Sequence, residues 1–161
     1  MTSVNNNIKV GSYLIDSNQV YEIYKIAEDR LYYRPAIAGG NHATVTGSIP
    51  AANIDAAGFR PLLDAKQIRQ FYIDLVKSKP LDIPIDSKLY KDLIISNDPF
   101  KIIPLLKQLW KSKNTPLVNF SGSSRDTLED IISHLSLEFS LSTDKSPDSI
   151  RKKILATLTS K

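Results

Sequence analysis

The spacing of apolar residues changes near the middle of this 161-residue chain, and the change limits the folds that it can adopt. Before residue 49, apolar and polar residues alternate and turn residues are frequent, which is typical of short strands. After residue 63, apolar residues recur every three or four positions, which predicts helices. We therefore expect an α+β protein with a small β module over residues 1–63 and an all-helical module over residues 64–161.

The β module consists of runs rich in β-branched and aromatic residues, separated by turn residues. Strands are predicted over 8–15, 20–26, 31–35 and 43–50, with turns at 16–18, 28–29 and 39–41. Four or five short strands joined by such tight turns favour a strongly bent barrel of the SH3-like or Tudor-like type. Barrels of this type usually bind peptides, protein strands or nucleic acid.

Five tyrosines of this module allow two interpretations: Tyr13, Tyr21, Tyr24, Tyr32 and Tyr33. They can line a ligand groove, but tyrosines at this density more often belong to the core and to cross-strand pairs. An exposed edge strand is also predicted near residues 31–34, where a partner's strand could add through main-chain hydrogen bonds.

The helical module is predicted to be a compact bundle of about five short helices, with prolines near the connections between them. Asp64 with Gln67 predicts a capping box for the first helix, and Pro80 ends it. The expected starts of the other four helices are Ser87, Asn97-Asp98-Pro99, Ser123 or Ser124, and Ser146-Pro147.

The charge of the chain is concentrated in the helical module. The net charge is +4, and residues 66–113 carry ten basic and five acidic side chains, so that 10 − 5 gives a local charge of +5. This asymmetry indicates a surface that faces a polyanion. The alternative is a lysine-rich face that is simply solvated.

No residue pattern predicts catalysis, a cofactor or a metal site. The chain has no cysteine, which excludes disulfides, thiolate zinc sites and thiol nucleophiles. His42 and His134 lie in different modules, where we expect structural roles, and no phosphate-binding loop, dinucleotide fingerprint or nucleophile elbow occurs. No apolar run is long enough to cross a membrane, and residues 1–7 do not resemble a signal peptide, so a cytoplasmic protein is expected.

Several stretches together resemble the CarD/CdnL family of bacterial transcription regulators. They are VG at 10–11, IPAAN at 49–53, AGFR at 57–60, SND at 96–98 and IIPLLKQLW at 102–110. The resemblance implies a Tudor-like module that binds the β subunit of RNA polymerase and a helical module that touches promoter DNA at the upstream edge of the transcription bubble. It further implies a nucleoid-associated monomer, without a cofactor, that stabilises the open promoter complex without reading sequence.

The resemblance also implies site residues. The DNA-contacting residues would be Lys88, Lys91, Lys111, Lys113, Arg125, Ile83 and Pro84. The polymerase-contacting residues would be Leu31, Tyr32, Tyr33, Arg34 and Ser48. The family inserts a tryptophan into the minor groove just before the second helix, whereas this chain has Ile83-Pro84-Ile85 there and its only tryptophan, Trp110, is expected to pack between helices.

Two other functions are compatible with these residues. The first is a protein-interaction adaptor with the same fold, whose basic residues contact no DNA. The second is a small enzyme that uses the tyrosine-rich groove, which would need a deep pocket with perturbed titratable groups. The three hypotheses differ in whether DNA affinity depends on salt and on the basic residues of the helical module.

Overall fold

The computed structural model describes residues 7–17, 19–36, 46–81, 83–84 and 86–160. In these residues the protein is a mixed α+β structure with one five-stranded antiparallel sheet and five α-helices. The chain divides into two compact units, Met1–Leu62 and Leu63–Lys161. The first unit contains the strands and the second contains the helices.

The sheet of the first unit is open and antiparallel throughout, with strand order β4-β3-β2-β1-β5. Its strands are β1 (Tyr13–Ile15), β2 (Val20–Ala27), β3 (Arg30–Pro35), β4 (Gly47–Pro50) and β5 (Arg60–Pro61). Its core is formed by Leu14, Ile23, Leu31 and Ile54. The Tudor-like barrel stays a prediction, and the predicted turn at 39–41 and His42 lie outside the described residues.

The expectation of an edge strand near residues 31–34 is wrong. Strand β3 pairs with β2 on one side and with β4 on the other. Main-chain groups on both sides of β3 are therefore engaged within the sheet, and the edges are β4 and β5.

Residues 49–62, where the periodicity of apolar residues changes, fold as part of the first unit. The Ala51 N–H donates to the Asp29 carbonyl at 2.7 Å and starts a short 3-10 turn, Ala51–Asn53. Ile54 then enters the core, and Gly58 adopts φ +85°, a conformation that favours glycine. The chain returns to the sheet as β5 beside β1, which the sequence did not predict.

The helices of the second unit are α1 (Ala65–Lys77), α2 (Ser87–Ile95), α3 (Pro99–Lys113), α4 (Gly122–Thr143) and α5 (Pro147–Thr159). The predicted capping box of Asp64 and Gln67 is confirmed, as is the Ser146 cap of α5. The α4 cap is Ser121 instead of Ser123 or Ser124, because the Ser121 Oγ accepts the Ser124 N–H at 3.0 Å. None of the described helices is long and apolar enough to span a bilayer.

The core of the helical unit has an aromatic centre on α1. The Phe71 ring is fully buried and lies edge-on to Phe139 at 5.1 Å, to Tyr72 at 6.0 Å and to Phe100 at 6.1 Å between ring centroids. One acidic residue is also fully buried: Glu138 on α4 accepts the Leu63 N–H at 2.9 Å through Oε1. This bond satisfies a buried main-chain donor just before α1.

Candidate functional site

The solvent side of strands β2 and β3 carries two tyrosines that are each stacked by a cation. The Tyr24 and Tyr32 ring centroids are 6.4 Å apart. The Lys25 Nζ lies 5.0 Å from the Tyr32 centroid, and the Arg34 guanidinium lies 5.4 Å from the Tyr24 centroid. Arg34 also pairs with Glu22, whose Oε2 is 3.4 Å from Nε. We call these residues, Glu22, Tyr24, Lys25, Tyr32 and Arg34, the tyrosine–cation face.

An irregularity in the β2–β3 pairing produces this arrangement. Ile23 faces Tyr33 in the register, but the next pair joins Lys25 to Tyr32, so that Tyr24 is an extra residue. Bulges of this kind redirect side chains and increase the local twist. The extra residue places Lys25 directly opposite Tyr32, so that both tyrosines acquire a cation, each contact contributing about 0.5–1 kcal/mol at an exposed site.

The predicted polymerase-contacting residues separate onto the two sides of the sheet. Tyr32 and Arg34 belong to the tyrosine–cation face, and Ser48 is exposed on β4, where its Oγ accepts from the Arg30 guanidinium at 2.9 Å. Leu31 is only 3% exposed and is a core residue instead. The Leu31 side chain is therefore unavailable to a partner.

Tyr33 is also turned to the inner side of the sheet. Its ring packs against Tyr21 at 5.0 Å and Phe59 at 5.5 Å between centroids. A Cβ atom at Gly47 would overlap the outer end of the Tyr33 ring, so a larger residue there would displace that ring. Tyr33 thus positions the edge strand that carries Ser48 and offers little surface to a partner.

Two lysines of α2 lie on one exposed side of that helix. Lys88 and Lys91 are three residues apart, a spacing that places side chains next to each other on a helix surface. Across the described ranges neither lysine forms a salt bridge. The start of α2 is fixed by Asp86, whose Oδ1 accepts the Leu89 N–H at 2.7 Å. Both ammonium groups are available to an anionic partner.

The other predicted basic residues flank the connection between α3 and α4. Lys111 and Lys113 are exposed in the last turn of α3, where the helix dipole favours cations. Arg125 is exposed near the N-terminus of α4, whose cap is the neutral Ser121. A cation at a helix N-terminus opposes the dipole, so helix stability does not account for Arg125.

Trp110, which precedes these lysines on α3, is half-buried against the helical core, as the sequence predicts. The Lys113 Nζ lies 5.4 Å from its ring centroid. The indole therefore packs within the helical unit and holds the end of α3 against the core.

The loop between α1 and α2 exposes Ile83 (52%) and Pro84. Its beginning is held against α3: the Leu81 N–H donates to the Pro104 carbonyl at 3.3 Å, and the Lys107 Nζ donates to the Ser78 carbonyl. Burial lowers the pKa of Lys107. The seven predicted DNA-contacting residues thus occupy this loop, α2, the end of α3 and the start of α4, and all of them are exposed.

Tyr72 is a second titratable group of the helical unit that burial perturbs. The Tyr72 hydroxyl is buried without a hydrogen-bond partner in the described part of the chain, and burial raises the pKa of Tyr72 to about 12. The Lys153 Nζ lies 4.3 Å from the ring centroid. A buried hydroxyl without a partner destabilises the folded state.

Replacing Tyr72 with phenylalanine is expected to raise the free energy of unfolding at pH 7 by about 1 kcal/mol, because the unpartnered hydroxyl is removed. The folded protein holds the Tyr72 proton more tightly than the unfolded chain, so wild-type stability should fall as pH rises from 10.0 to about 12. This part of the fall should be missing in the variant. Absorbance titration at alkaline pH should also lose its last tyrosine step, whereas Tyr24→Phe should retain it.

No group of three or more His, Cys, Asp or Glu side chains that could hold a metal ion occurs among the described residues. The sequence matches no protein-family model and no curated protein. The resemblance to the CarD/CdnL family therefore rests on the residue stretches given above.

Proposed function

We propose that this protein is a transcription regulator of the CarD/CdnL type with a Tudor-like first unit. The first unit binds the β subunit of RNA polymerase, and the helical unit touches promoter DNA without reading its sequence. Together they stabilise the open promoter complex. In this proposal the protein acts as a cytoplasmic, nucleoid-associated monomer, uses no cofactor and catalyses no reaction.

The tyrosine–cation face is the observation that carries this proposal. Tyrosine and arginine are the residue types that contribute most to protein–protein binding, because they combine a large contact area with polar groups. Tyr24, Tyr32 and Arg34 are held in place by mutual stacking, so that little side-chain entropy is lost on binding. The outer side of β4 offers a main-chain edge beside this face.

The exposed cations of the helical unit support the DNA contact. Lys88 and Lys91 can neutralise phosphates, which positions a protein on DNA without specifying bases. Two such phosphate contacts give only weak DNA binding when the helical unit is not attached to polymerase. Attachment to polymerase would raise the local concentration of the helical unit, so weak contacts would be sufficient.

The lifetime of open promoter complexes tests this function. RNA polymerase from the same source would be bound to promoter DNA and challenged with competitor DNA. The lifetime of the complexes would be followed with and without the 161-residue chain. We expect the chain to prolong the lifetime, and Tyr24→Ala with Arg34→Ala to remove the effect. The control is Lys9→Ala, which removes one positive charge, as Arg34→Ala does, from an exposed position of the first unit outside the tyrosine–cation face.

An adaptor without DNA binding is the second candidate. The stacking of Lys113 on Trp110 and the position of Lys111 and Lys113 at a helix C-terminus give these lysines intramolecular roles, which favours the adaptor. An adaptor would bind polymerase but leave the salt dependence of the open complex unchanged when the lysines of α2 are replaced. That result would select the adaptor over the regulator.

A further inference from the structure

Helix α2, which carries Lys88 and Lys91, is attached to the helical unit more weakly than the other described helices. It contains no buried residue, whereas α1, α3, α4 and α5 each contribute at least three buried side chains. Helix α2 contacts α3, and its Tyr90, Leu93 and Ile94 are half-buried against the core. No hydrogen bond or ion pair joins α2 to another helix in the part of the chain that the structure describes. A helix held in this way can open locally while the rest of the unit stays folded.

The connection from α1 to α2 is held by polar contacts from one side of α3. The Lys107 Nζ donates to the Val76 carbonyl at 3.2 Å and also donates to the Ser78 carbonyl. The Leu81 N–H donates at 3.3 Å to the carbonyl of Pro104, which lies about one helical turn before Lys107. These bonds fix the beginning of the connection against α3, and the position of α2 depends on that connection.

The carbonyl groups that Lys107 contacts lie where α1 ends. In a continuing helix the Val76 carbonyl would accept the N–H of the fourth residue after it, but that residue is Pro80, which has no N–H. The Ser78 carbonyl follows the last helical residue, in extended backbone. The helix dipole also favours a cation at this end of α1. Lys107 therefore supplies hydrogen-bond donors that α1 itself lacks.

Packing alone does not explain a lysine at position 107. The side chain is half-buried, and burial lowers the pKa of Lys107 because removal from water disfavours the charged ammonium group. A methionine would fill a similar space without this cost. The bonds to the two carbonyls offset the cost, so the charge of Lys107 serves to join α3 to the end of α1.

We propose that Lys107 is a positioning residue for α2. By joining α3 to the end of α1 it keeps α2 docked on the unit, so that Lys88 and Lys91 are held in one place. Lysines held in this way lose less entropy when they bind phosphates. The consequence for promoter DNA rests on the proposed function, whereas the docking of α2 can be measured without DNA.

The decisive variant is Lys107→Met, studied by hydrogen–deuterium exchange of the main-chain amides at neutral pH. Methionine retains the apolar part of the side chain and loses the three donors. We expect the amides of α2 to exchange about tenfold faster than in the wild type, which corresponds to about 1.4 kcal/mol. The amides of α4 and α5 should exchange at the wild-type rate, because the buried residues of these helices are unchanged.

Two further variants serve as controls. Lys107→Arg should largely restore wild-type exchange in α2, because a guanidinium group can donate to both carbonyls. Lys101→Met makes the same chemical change at an exposed position of α3 and should leave α2 unaffected. Equal exchange of α2 in the wild type and in Lys107→Met would overturn the inference. A uniform acceleration in all five helices would also overturn it, since Lys107 would then contribute only to the global stability of the unit.

The lifetime of open promoter complexes tests the consequence for DNA. Lys107→Met should shorten this lifetime, and it should have no further effect once Lys88 and Lys91 are replaced by glutamate. Faster exchange in α2 with an unchanged lifetime would confirm the positioning of α2 and overturn its link to DNA. A wild-type chain without any effect on the lifetime would overturn the proposed function, and the exchange data would still decide whether Lys107 positions α2.

Discussion

Replacing Phe71 with alanine is expected to lower the free energy of unfolding of the helical unit by about 3–5 kcal/mol. Phe71 is fully buried, and three aromatic rings from α1, α3 and α4 surround it within 6.1 Å between centroids. Removing the ring leaves a cavity that rigid neighbouring helices cannot fill. The loss is a large fraction of the whole stability of a small domain.

Trp110 provides the measurement, because it is the only tryptophan and packs on the core of the helical unit. Its fluorescence during urea unfolding should give a lower midpoint in Phe71→Ala. Ile73→Ala, an exposed change on the same helix, should shift the free energy by less than about 0.5 kcal/mol. A shift of that small size in Phe71→Ala would contradict the packing described here.

Reversing the charges of Lys88 and Lys91 to glutamate is expected to abolish the effect of the protein on open promoter complexes. In the proposed complex, two phosphate contacts are lost and two repulsive charges replace them. For non-specific contacts, each lost cation should reduce the slope of log affinity against log salt by about 0.9. The dependence of complex lifetime on salt should therefore become shallower by about two units.

The control for this pair carries the same change in net charge. Lys66→Glu with Lys77→Glu alters two exposed lysines of α1 that belong to neither proposed surface. It should leave most of the lifetime effect intact. Equal losses in the two double variants would mean that only the net charge of the unit matters, and the assignment of α2 to the DNA contact would be wrong.

The helices were predictable because their ends depend on local chemistry. Asp64 with Gln67, Pro99 and Ser146 start helices through contacts made within a few residues. The predicted cap of α4, Ser123 or Ser124, lies two or three residues after the observed cap, Ser121. Three of the four residues 121–124 are serines, and each could cap the helix. Which serine keeps an extended backbone depends on how the preceding loop reaches the bundle.

Pairing between distant strands was not predictable in the same way. Strand β5 contains only Arg60 and Pro61, too few residues to show an alternating pattern, and it is recognised only by its place beside β1. The interior position of β3 depends on its pairing with β4, the next strand along the chain, which the sequence pattern alone does not show. Leu31 and Tyr33 alternate with Tyr32 and Arg34, but the sequence does not state which pair faces the core.

The tyrosine–cation face and the loop residue Leu117 also depend on the folded structure more than on local sequence. The tyrosine–cation face depends on the bulge at Tyr24, and no residue in that strand signals an irregular register. Leu117 looks like an ordinary apolar residue after Pro116. Its full exposure and its positive φ are properties of the folded loop, and they are what distinguish it from a core leucine.

The most direct test of the central claim is calorimetric binding of the 161-residue chain to a fragment of the RNA polymerase β subunit from the same source. We predict a dissociation constant of roughly micromolar order, about −8 kcal/mol, because a face of this size forms a modest interface. Tyr24→Ala with Arg34→Ala should weaken it, and Lys88→Glu with Lys91→Glu should not. Absence of binding at high micromolar concentrations would contradict the proposal that polymerase is the partner.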